Sequence, residues 1–403
     1  MKAYIEKSEL KGKITVPPSK SMAHRMLICA GLSEGESTVH NIAFSEDILA
    51  TLDCLRSIGA DYRTEGSTIC FEGFDRSRGK DTYCLNCRES GSTLRFFIPI
   101  CSVTGGNAVF SGSEKLLSRP LNVYEEIFEA QKIGFENNGR KIELNGRIQA
   151  GHYEIRGDIS SQFVSGLLFA LPLLENESEI HLIPPVESRS YIDLTLSALE
   201  MFGVRIEWKD ETTLFIRGEQ KYEGREITVE GDYSNAAFFD ALACLGHEVE
   251  VEGLKEDSLQ GDRVYREYFP LLEKEGSSLE LGDCPDLGPV LFALAAAKHG
   301  GSFTGTRRLR IKESDRAQAM KEELAKFGIS VEVGDDFVKV DSTGFHKPEE
   351  VLYGHNDHRI VMSLAVLLTL TGGTIEGAEA VRKSMPDFFE KIKSLGTKVE
   401  LHD

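Results

Sequence analysis

The stretch Leu309–Arg316, LRIKESDR, runs directly into the helical pattern AQAMKEELAKFG, which ends at Gly328. Five of its eight residues are charged, yet the run begins with apolar residues at alternate positions. The pattern predicts the end of a strand, a polar corner and then an amphipathic helix. A corner of this composition suits binding an anion and moving a proton, although a solvated, capped helix start has the same composition. The apolar face of the helix is predicted to hold Ala317, Met320, Leu324 and Phe327.

This order of amphipathic helix, glycine and strand recurs along the chain. It is found at 46–63, 191–208, 315–333 and 388–401, with looser copies at 119–136 and 265–281. It alternates with a second pattern, a polar corner followed by a helix that is apolar on nearly all faces, at 17–32, 87–100, 157–174, 231–245, 284–297 and 354–370. Helices of that second kind are expected to be buried. The two patterns together predict an α/β protein of six repeated units of about 67 residues each, three in each of two similar domains.

The domain boundary is predicted just after a polar segment that begins near Glu219. A short strand that ends at Val16 precedes the first repeat, and it is expected to pair with the C-terminal half of the chain. The predicted domains are therefore residues 1–16 with 229–403, and an inserted domain of residues 17–228.

Composition excludes several classes of protein. The 403 residues are 41% hydrophobic and 28% charged, as in ordinary globular proteins, and no apolar run approaches 18 residues. The N-terminal residues lack the hydrophobic segment of a signal peptide. A net charge of −19 argues against nucleic acid or a membrane surface as a partner. The eight cysteines do not form a disulfide or zinc pattern, since Cys84 and Cys87 make a lone C-x-x-C, so a reduced, cytoplasmic protein is expected.

Polar groups at the starts of the apolar helices are candidates for binding an anion, because backbone N–H groups and the positive end of the helix dipole meet there. Each has a plainer alternative as a cap, a structural clamp or a snorkelling cation. The spacing of Lys20, Ser21 and Arg25 favours an anion site, whereas His24 is expected to be structural. The other candidates are Gly91, Arg95, Arg119, Ser160, Ser161, Gln162, Ser188, Tyr191, Asp286, Arg359 and Lys383. Arg359 starts an otherwise apolar helix, so it needs a partner, either Asp357 or a ligand carboxylate.

Taken in order, these segments resemble the 5-enolpyruvylshikimate 3-phosphate synthase family. The most specific are K-S-x-x-H-R from Lys20, S-S-Q from Ser160, K-E-S-D-R from Lys312, N-D-H-R from Asn356 and K-S-x-P-x-F-F from Lys383. The resemblance covers nearly the whole chain. It implies two domains, each an inside-out α/β barrel of three βαβαββ units, with the active site in the cleft between them.

The resemblance also implies transfer of the enolpyruvyl group of phosphoenolpyruvate to the 5-hydroxyl of shikimate 3-phosphate, on the route to chorismate and the aromatic amino acids. The implied phosphoenolpyruvate site consists of Lys20, Gly91, Arg119, Gln162, Arg316, Arg359 and Lys383. The implied shikimate 3-phosphate site consists of Lys20, Ser21, Arg25, Ser160, Ser161, Gln162, Ser188, Tyr191, Asp286 and Lys312. No metal, organic cofactor or covalent intermediate is implied, and the enzyme is expected to be a monomer.

The reaction needs an acid/base group on each side of the reacting carbon. Asp286 is expected to serve the hydroxyl and Glu313 the methyl proton, with Lys20 or Lys312 assisting at the hydroxyl or the departing phosphate. Asp315 is left as a cap. Two positions depart from the family pattern. Glu89 stands where the family's Asn-Ala/Ser-Gly-Thr corner begins, which affects binding of phosphoenolpyruvate and of glyphosate, the family's inhibitor. Arg308 stands where the family often has Asn.

Three other functions have sequence features that can be compared with those of this chain. The sister family that transfers enolpyruvyl to UDP-N-acetylglucosamine usually carries a reactive cysteine where this chain has Glu114. A non-catalytic anion-binding or scaffold protein would not need the full acid/base set. An RNA-end-processing enzyme is disfavoured by the net charge of −19.

Overall fold

The computed structural model describes residues 1–75 and 82–402, which form two compact units. The terminal unit consists of Met1–Pro17 and Gly231–Asp403, and the central unit consists of Pro18–Glu230. Each unit has its own hydrophobic core. The chain changes unit after Pro17 and after Glu230, one and two residues beyond the expected positions.

The α-helices vary from a single turn to about four turns. Five 3₁₀ segments, Leu171–Leu173, Gly261–Val264, Pro285–Leu287, Arg307–Ile311 and Ala378–Lys383, accompany them within the described residues. The α-helices are α1 (Lys20–Leu32), α2 (Glu46–Ile58), α3 (Gly91–Thr104), α4 (Glu114–Leu117), α5 (Asn122–Ala130), α6 (Ser161–Ala170), α7 (Arg189–Met201), α8 (Tyr233–Cys244), α9 (Tyr265–Leu272), α10 (Gly288–Ala297), α11 (Arg316–Ala325), α12 (His358–Thr371) and α13 (Phe388–Ser394).

The strands are short. They are β1 (Lys2–Ile5), β2 (Lys11–Thr15), β3 (Ser37–His40), β4 (Tyr62–Glu65), β5 (Thr68–Phe71), β6 (Tyr83–Asn86), β7 (Asn107–Ser111), β8 (Gly134–Asn137), β9 (Ile142–Asn145), β10 (His152–Arg156), β11 (Ser178–Ile183), β12 (Ile206–Trp208), β13 (Thr213–Ile216), β14 (Glu226–Thr228), β15 (Glu248–Glu252), β16 (Ser278–Glu280), β17 (Gly301–Thr304), β18 (Val331–Val333), β19 (Phe337–Val340), β20 (Leu352–Tyr353), β21 (Gly373–Glu376) and β22 (Val399–His402).

The predicted repeat is present in three sheets as a continuous stretch of chain. These sheets have the orders β6-β7-β9-β8, β10-β11-β13-β12 and β16-β17-β19-β18. In each, the first two strands are parallel and enclose a buried helix, and the last two form an antiparallel hairpin. The amphipathic helix precedes the hairpin, so the order is βαβαββ.

The other three sheets draw on distant parts of the chain. In the terminal unit, β1 lies between β21 and β22, and β2 pairs with β15 from Lys11 opposite Glu248 to Thr15 opposite Glu252. In the central unit, β14 pairs in parallel with β3, at the edge of the order β14-β3-β5-β4. The β2–β15 sheet has only two strands among the described residues, so this repeat lacks the hairpin of the others.

Buried helices form both cores. Every residue of α10 up to Ala296 is buried, as its uniformly apolar sequence predicts. Helices α1, α3 and α6 supply the core of the central unit, and α8, α10 and α12 that of the terminal unit. The strands β7, β10 and β19 alternate buried and more exposed residues, so each sheet has one inner face.

The expectation of a strand at Leu309–Ile311 is wrong. Gly305, with φ +67°, turns the chain out of β17, and residues 307–311 then form a 3₁₀ helix in which Leu309 N–H donates to Thr306 O at 2.9 Å. Ile311 is 42% exposed, so its alternation with Leu309 does not mark a buried face. The amphipathic helix itself is confirmed as α11, whose predicted apolar face is buried and whose N-cap is Asp315.

The last two structural features concern membrane-spanning helices and the cysteines. Among the described residues, no helix is long and apolar enough to cross a membrane. All eight cysteines are free thiols, and Cys84 is the exposed one of the C-x-x-C pair.

Candidate active site

Three cations of the terminal unit converge on one carboxylate, that of Asp286. Its Oδ1 lies 2.7 Å from Arg316 Nη1 and 3.4 Å from Lys312 Nζ. Its Oδ2 lies 3.0 Å from Arg359 Nη2, and Arg359 Nη1 also donates to the backbone oxygen of Asp286 at 3.2 Å. Asp286 sits in the 3₁₀ turn that leads into α10, and its side chain is 18% exposed. The carboxylate is therefore largely shielded from solvent.

The charges of this cluster shift its ionisation strongly. Burial raises the pKa of Asp286, but Arg359, Lys312 and Arg316 outweigh burial and hold that pKa well below its usual range. Burial lowers the pKa of Lys312, and nearby Arg308 lowers it further, although Asp286 opposes both. Asp286 is consequently an anion held by cations, and Lys312 is a lysine that gives up its proton more readily than usual.

Arg316 joins two segments that are distant in sequence. It is 1% exposed and donates from Nε to Asp357 Oδ2 at 2.9 Å and from Nη2 to Glu313 Oε2 at 2.7 Å. Asp357 is fully buried, accepts from Arg359 N–H at 2.9 Å and accepts from the Ser314 hydroxyl at 3.0 Å. The K-E-S-D-R and N-D-H-R segments are therefore locked together through Asp357.

The partner of the Arg359 guanidinium is not Asp357. Asp357 accepts from the backbone N–H of Arg359 and so caps α12, while the guanidinium pairs with Asp286. The suggestion of Asp357 as the side-chain partner is therefore wrong. The sequence could not separate the two because Asp286 lies 73 residues away.

Two further cations lie beside this cluster in the terminal unit. Lys383 ends the 3₁₀ helix before α13 and donates from Nζ to the Asn356 carbonyl at 2.7 Å. Arg308 is 5% exposed and donates to the Gly282 carbonyl at 3.3 Å. The position that departs from the family pattern thus places a buried guanidinium near Lys312.

In the central unit, the lysine at the start of α1 forms an ion pair with a carboxylate of α2. Ser19 caps the helix by accepting from Met22 N–H. Lys20 Nζ lies 3.1 Å from Asp47 Oδ2, and the two side chains are 17% and 12% exposed. Asp47 comes from the first turn of α2 and was not singled out from the sequence. A capping serine followed by a lysine is common, and only the fold reveals that this lysine is paired.

Arg25 is held inside the central unit. It is 3% exposed, and it donates to the Ser21 carbonyl at 2.7 Å, the Thr195 hydroxyl at 2.8 Å and the Tyr191 carbonyl at 2.9 Å. Burial lowers the pKa of Arg25 to about 10. Arg25 thereby brings Ser21 and Tyr191 together, two residues separated by 170 positions in the sequence. His24 is buried as expected and bonds Thr51 at 2.7 Å.

Two guanidinium groups lie against Gly91 at the start of α3. A Cβ atom on Gly91 would stand 2.6 Å from Arg119 Nη1 and 3.0 Å from Arg95 Nη1, so no other residue fits without displacing them. Arg95 Nη1 donates to Gln162 Oε1 at 2.9 Å, and Gln162 Nε2 donates to the Ser92 hydroxyl at 2.8 Å. Gln162 is therefore oriented by Arg95, which the sequence left open as a structural clamp.

The remaining predicted residues lie at the starts of α6 and α7. Ser160 caps α6 by accepting from Gln162 N–H at 3.4 Å, and Ser161 is the buried first residue of that helix. Ser188 is buried and precedes α7 with φ +54°, in the left-handed region. In the central unit, Arg25 thus joins the start of α1 to α7, and Arg95 joins the start of α3 to Gln162 of α6, with Arg119, between α4 and α5, lying against Gly91.

A family model for EPSP synthase (3-phosphoshikimate 1-carboxyvinyltransferase) matches residues 5–392 of this chain. The chain belongs to the EPSP synthase family. The resemblance predicted from the sequence is confirmed.

Named relatives match over the full length. The 3-phosphoshikimate 1-carboxyvinyltransferase of Clostridium kluyveri is 41% identical, and the alignment covers 98% of this chain and 97% of that protein. The enzyme of the same name from Clostridium perfringens (strain ATCC 13124) is 40% identical, with 98% of each chain covered. That of Clostridium acetobutylicum is 40% identical over 96% of this chain and 95% of its own.

Solved structures share the fold of the EPSP synthase family. The EPSP synthase of Acinetobacter baumannii has a TM-score of 0.78 at 24% identity, covering 99% of this chain and all of its own. The enolpyruvyl transferase NikO of Streptomyces tendae also has a TM-score of 0.78, at 15% identity, covering 99% of this chain and 98% of its own. At these identities the likeness concerns the fold alone. The predicted fold class, two inside-out α/β barrels built from βαβαββ repeats, is confirmed.

Proposed function

We propose that the charged clusters of the two units serve one reaction, with the residues assigned above. As an EPSP synthase family member, the chain transfers the enolpyruvyl group of phosphoenolpyruvate to shikimate 3-phosphate in the shikimate pathway. The observation that carries the residue assignment is the convergence of Lys312, Arg316 and Arg359 on Asp286. Arg308 and Lys383 lie beside these three cations, so five cations face the carboxylates of Asp286, Glu313 and Asp357, and positive charge is left for a polyanionic substrate.

Phosphoenolpyruvate is proposed to be bound by Lys20, Gly91, Arg119, Gln162, Arg316, Arg359 and Lys383. Its carboxylate can replace Asp286 as the partner of Arg316 and Arg359, because a guanidinium binds either carboxylate in the same geometry. This exchange removes two cations from Asp286 and so raises its pKa. Asp286 then becomes a base when the substrate arrives, and not before.

Shikimate 3-phosphate is proposed to be bound by Lys20, Ser21, Arg25, Ser160, Ser161, Gln162, Ser188, Tyr191, Asp286 and Lys312. The helix starts of α1, α6 and α7 present these groups within the central unit. Backbone N–H groups and hydroxyls at such positions bind phosphate and hydroxyl oxygens. Lys312, whose pKa is lowered by burial, is suited to move a proton as well as to bind.

In the proposed mechanism, the 5-hydroxyl oxygen of shikimate 3-phosphate attacks C2 of phosphoenolpyruvate while Asp286 takes the hydroxyl proton. The carboxylate exchange at Arg316 also frees Glu313, which is ion-paired to that guanidinium, to bind a proton from water. Glu313 donates this proton to C3, which becomes a methyl group, and a tetrahedral phosphate intermediate results. In the second step Glu313 takes a proton back from that methyl group and the C2–O bond to phosphate breaks. The proton held by Asp286 passes to the departing phosphate, with Lys20 or Lys312 assisting. Atoms and charge balance without a metal or an organic cofactor.

The first test is incubation with shikimate 3-phosphate and phosphoenolpyruvate. Phosphate should be released together with a product of the mass of the joined enolpyruvyl shikimate phosphate. Glu313→Gln and Asp286→Asn should each lower kcat by about 10²–10⁴-fold, because each removes a group that transfers a proton. Asp283→Asn, the same change at an exposed position three residues away, is the control.

Calorimetric titration shows whether each variant still binds shikimate 3-phosphate. Near-normal turnover of either variant contradicts its assigned role, and phosphate release without the joined product contradicts the proposed reaction. We also propose that the enzyme is cytoplasmic and monomeric and has no nucleic-acid or membrane partner, in keeping with the net charge of −19 and eight free thiols. Sedimentation tests the oligomeric state.

A further inference from the structure

One buried carboxylate in the terminal unit has no part in the mechanism above. Glu323 lies on α11 and is 2% exposed. Its two oxygens accept from Lys326 Nζ at 3.0 and 2.9 Å, from Tyr353 N–H at 2.8 Å and from His355 Nε2 at 3.0 Å. Burial of a carboxylate is unfavourable unless hydrogen bonds and ion pairs compensate for the lost hydration, and these donors supply that compensation at this one position.

The segment that Glu323 holds is strained. His355 and Asn356 are consecutive non-glycine residues with φ of +50° and +51°, in the left-handed region, which is uncommon for non-glycine residues although His and Asn adopt it more often than most. Such residues persist only where their surroundings fix them. Glu323 accepts hydrogen bonds from Tyr353 N–H, two residues before His355, and from the ring of His355 itself.

The same helix grips the segment on its other side. Arg316, at the start of α11, bonds Asp357 just after the strained pair. Arg316 and Glu323 are seven residues apart, about two turns and roughly 10 Å along one helix face. Helix α11 therefore clamps both ends of the segment from Tyr353 to Asp357.

Three site groups depend on the position of that segment. The Asn356 carbonyl receives Lys383 Nζ at 2.7 Å, Asp357 caps α12, and Arg359 leaves the first turn of that helix. We propose that Glu323 is a positioning residue for the phosphoenolpyruvate site, which places Lys383 and Arg359 by fixing the turn at His355 and Asn356. This inference rests on the proposed function, because that proposal assigns both cations to phosphoenolpyruvate.

The charge of Glu323 suits this role. Burial raises the pKa of Glu323, but the hydrogen bonds from His355, Lys326 and Tyr353 N–H outweigh burial, and the pKa is lowered. Lys326 also donates to the Val351 carbonyl at 3.1 Å, so it ties Glu323 to the chain that leads into the turn. An uncharged amide of the same size cannot accept from all of these donors.

The decisive variant is Glu323→Gln, studied by steady-state kinetics in the full-length protein. We expect the KM for phosphoenolpyruvate to rise about tenfold, the effect of weakening a charge-assisted bond. The KM for shikimate 3-phosphate should stay within about twofold, because Asp286 and Lys312 lie outside the segment. Glu322→Gln is the matched control. It changes the neighbouring residue, which is half exposed and reaches His355 only at 3.9 Å, and its KM values should match the wild type.

A second variant keeps the inference testable if Glu323→Gln folds poorly. His355→Asn removes the ring that bonds Glu323 but retains a residue type that tolerates the left-handed region. This variant should also raise the KM for phosphoenolpyruvate. The KM of the double variant should not exceed that of the more affected single variant, because both substitutions break the same contact between Glu323 and His355. A fully additive double variant overturns the inference.

Hydrogen exchange separates this inference from the proposed function, since it needs no turnover. In Glu323→Gln, the amides from Tyr353 to Arg359 should exchange faster than in the wild type, while those of α10 should not. Unchanged exchange in the segment overturns the positioning role, whatever the activity. The positioning role is also overturned if Glu323→Gln raises the KM values for phosphoenolpyruvate and shikimate 3-phosphate equally and also loses folded protein. Failure of the wild type to make the joined product counts against the proposed function alone.

Discussion

Two carboxyl groups of the terminal unit, Asp286 and Asp262, lie in opposite electrostatic environments. Asp286 is surrounded by cations, which keep it ionised. Asp262 is buried, and burial together with repulsion from Asp286 raises its pKa to about 6, although Arg359 and a hydrogen bond from Ser234 oppose the rise. The ionised form of Asp286 therefore stabilises the folded protein, whereas ionisation of Asp262 destabilises it.

The raised pKa of Asp262 predicts a pH dependence of stability. Because its folded pKa lies above the ordinary value of 3.8, the folded protein binds more protons than the unfolded chain between about pH 4 and pH 6. The contribution of Asp262 is present below that window and is lost as pH rises through it, by up to about 3 kcal/mol. In Asp262→Asn this loss should vanish.

Urea unfolding at several pH values between 4 and 7 measures the effect. The stability of Asp262→Asn relative to the wild type should increase as pH rises. Asp335→Asn removes the same charge from a side chain that is 99% exposed, and it controls for net charge. Parallel curves for Asp262→Asn and the wild type would contradict the raised pKa.

Residue types at helix starts were readable from the sequence, but their partners were not. Lys20, Gly91, Gln162, Asp286 and Arg359 were singled out because charged or flexible residues interrupt apolar patterns. Asp47, the partner of Lys20, was left out because a carboxylate at a helix start looks like an ordinary cap, and Arg95, the partner of Gln162, was left open as a structural clamp. Asp357 was suggested for the Arg359 guanidinium, which pairs with Asp286 instead. Only the fold shows that Asp357 is fully buried and accepts from Arg316 as well.

At the scale of elements, the packing of α3 on α6 sets the position of Gln162. The Tyr124 hydroxyl lies 2.7 Å from the Arg95 carbonyl and 3.1 Å from the Phe163 carbonyl, so it bridges the two helices. Gly166 permits this approach, since a Cβ there would stand 2.3 Å from the Tyr124 oxygen and 2.5 Å from the Arg95 oxygen. The helices can be this close only because residue 166 has no side chain.

Gly166→Ala should therefore destabilise the central unit by about 1–3 kcal/mol, the usual cost of overpacking a core, although alanine favours a helix. It should also raise the KM for phosphoenolpyruvate, because Gln162 moves with α6. Gly35→Ala is the control, since a Cβ there would meet no atom closer than 3.8 Å. Thermal unfolding and kinetics test both effects, and an unchanged unfolding temperature for Gly166→Ala would contradict the close packing.

The six buried helices were predictable because each is apolar on nearly every face, which only a core position explains. The error at Leu309–Ile311 has a local cause. Three residues of apparent alternation cannot distinguish a strand from a 3₁₀ turn, and Gly305 fixes the direction of the chain before them. Long periodic segments carry enough information to assign an element, whereas short corners take their shape from neighbours in space.

At the scale of the whole molecule, the chain connects the two units through strands that belong to one unit and lead into a helix of the other. Strand β2 pairs with β15 in the terminal unit, and the next helix, α1, lies in the central unit. Strand β14 pairs with β3 in the central unit, and the next helix, α8, lies in the terminal unit. The repeat count was visible in the sequence, and the strand ending near Val16 was expected to pair with the C-terminal half, as β2 does with β15. The non-local pairing of β14 with β3 was not predicted.

This connectivity predicts that the units differ in their ability to fold alone. The central unit is one continuous segment, and its described residues form three four-stranded sheets with their own core, so residues 18–230 should unfold cooperatively by themselves. Residues 231–403 lack β1, which lies between β21 and β22, and β2, the partner of β15. Because losing a central strand exposes two unpaired edges, this segment should not fold cooperatively.

Adding residues 1–17 back to 231–403, through a flexible Gly/Ser linker, should restore cooperative unfolding by circular dichroism. Residues 18–225 provide the control, since they lose β14, which lies at the edge of its sheet and leaves one unpaired strand. This loss should lower stability without abolishing the fold. A cooperative transition of 231–403 alone would show that β1 is dispensable, and the terminal unit would then owe its stability to the helices α8, α10 and α12 rather than to the sheet that β1 completes.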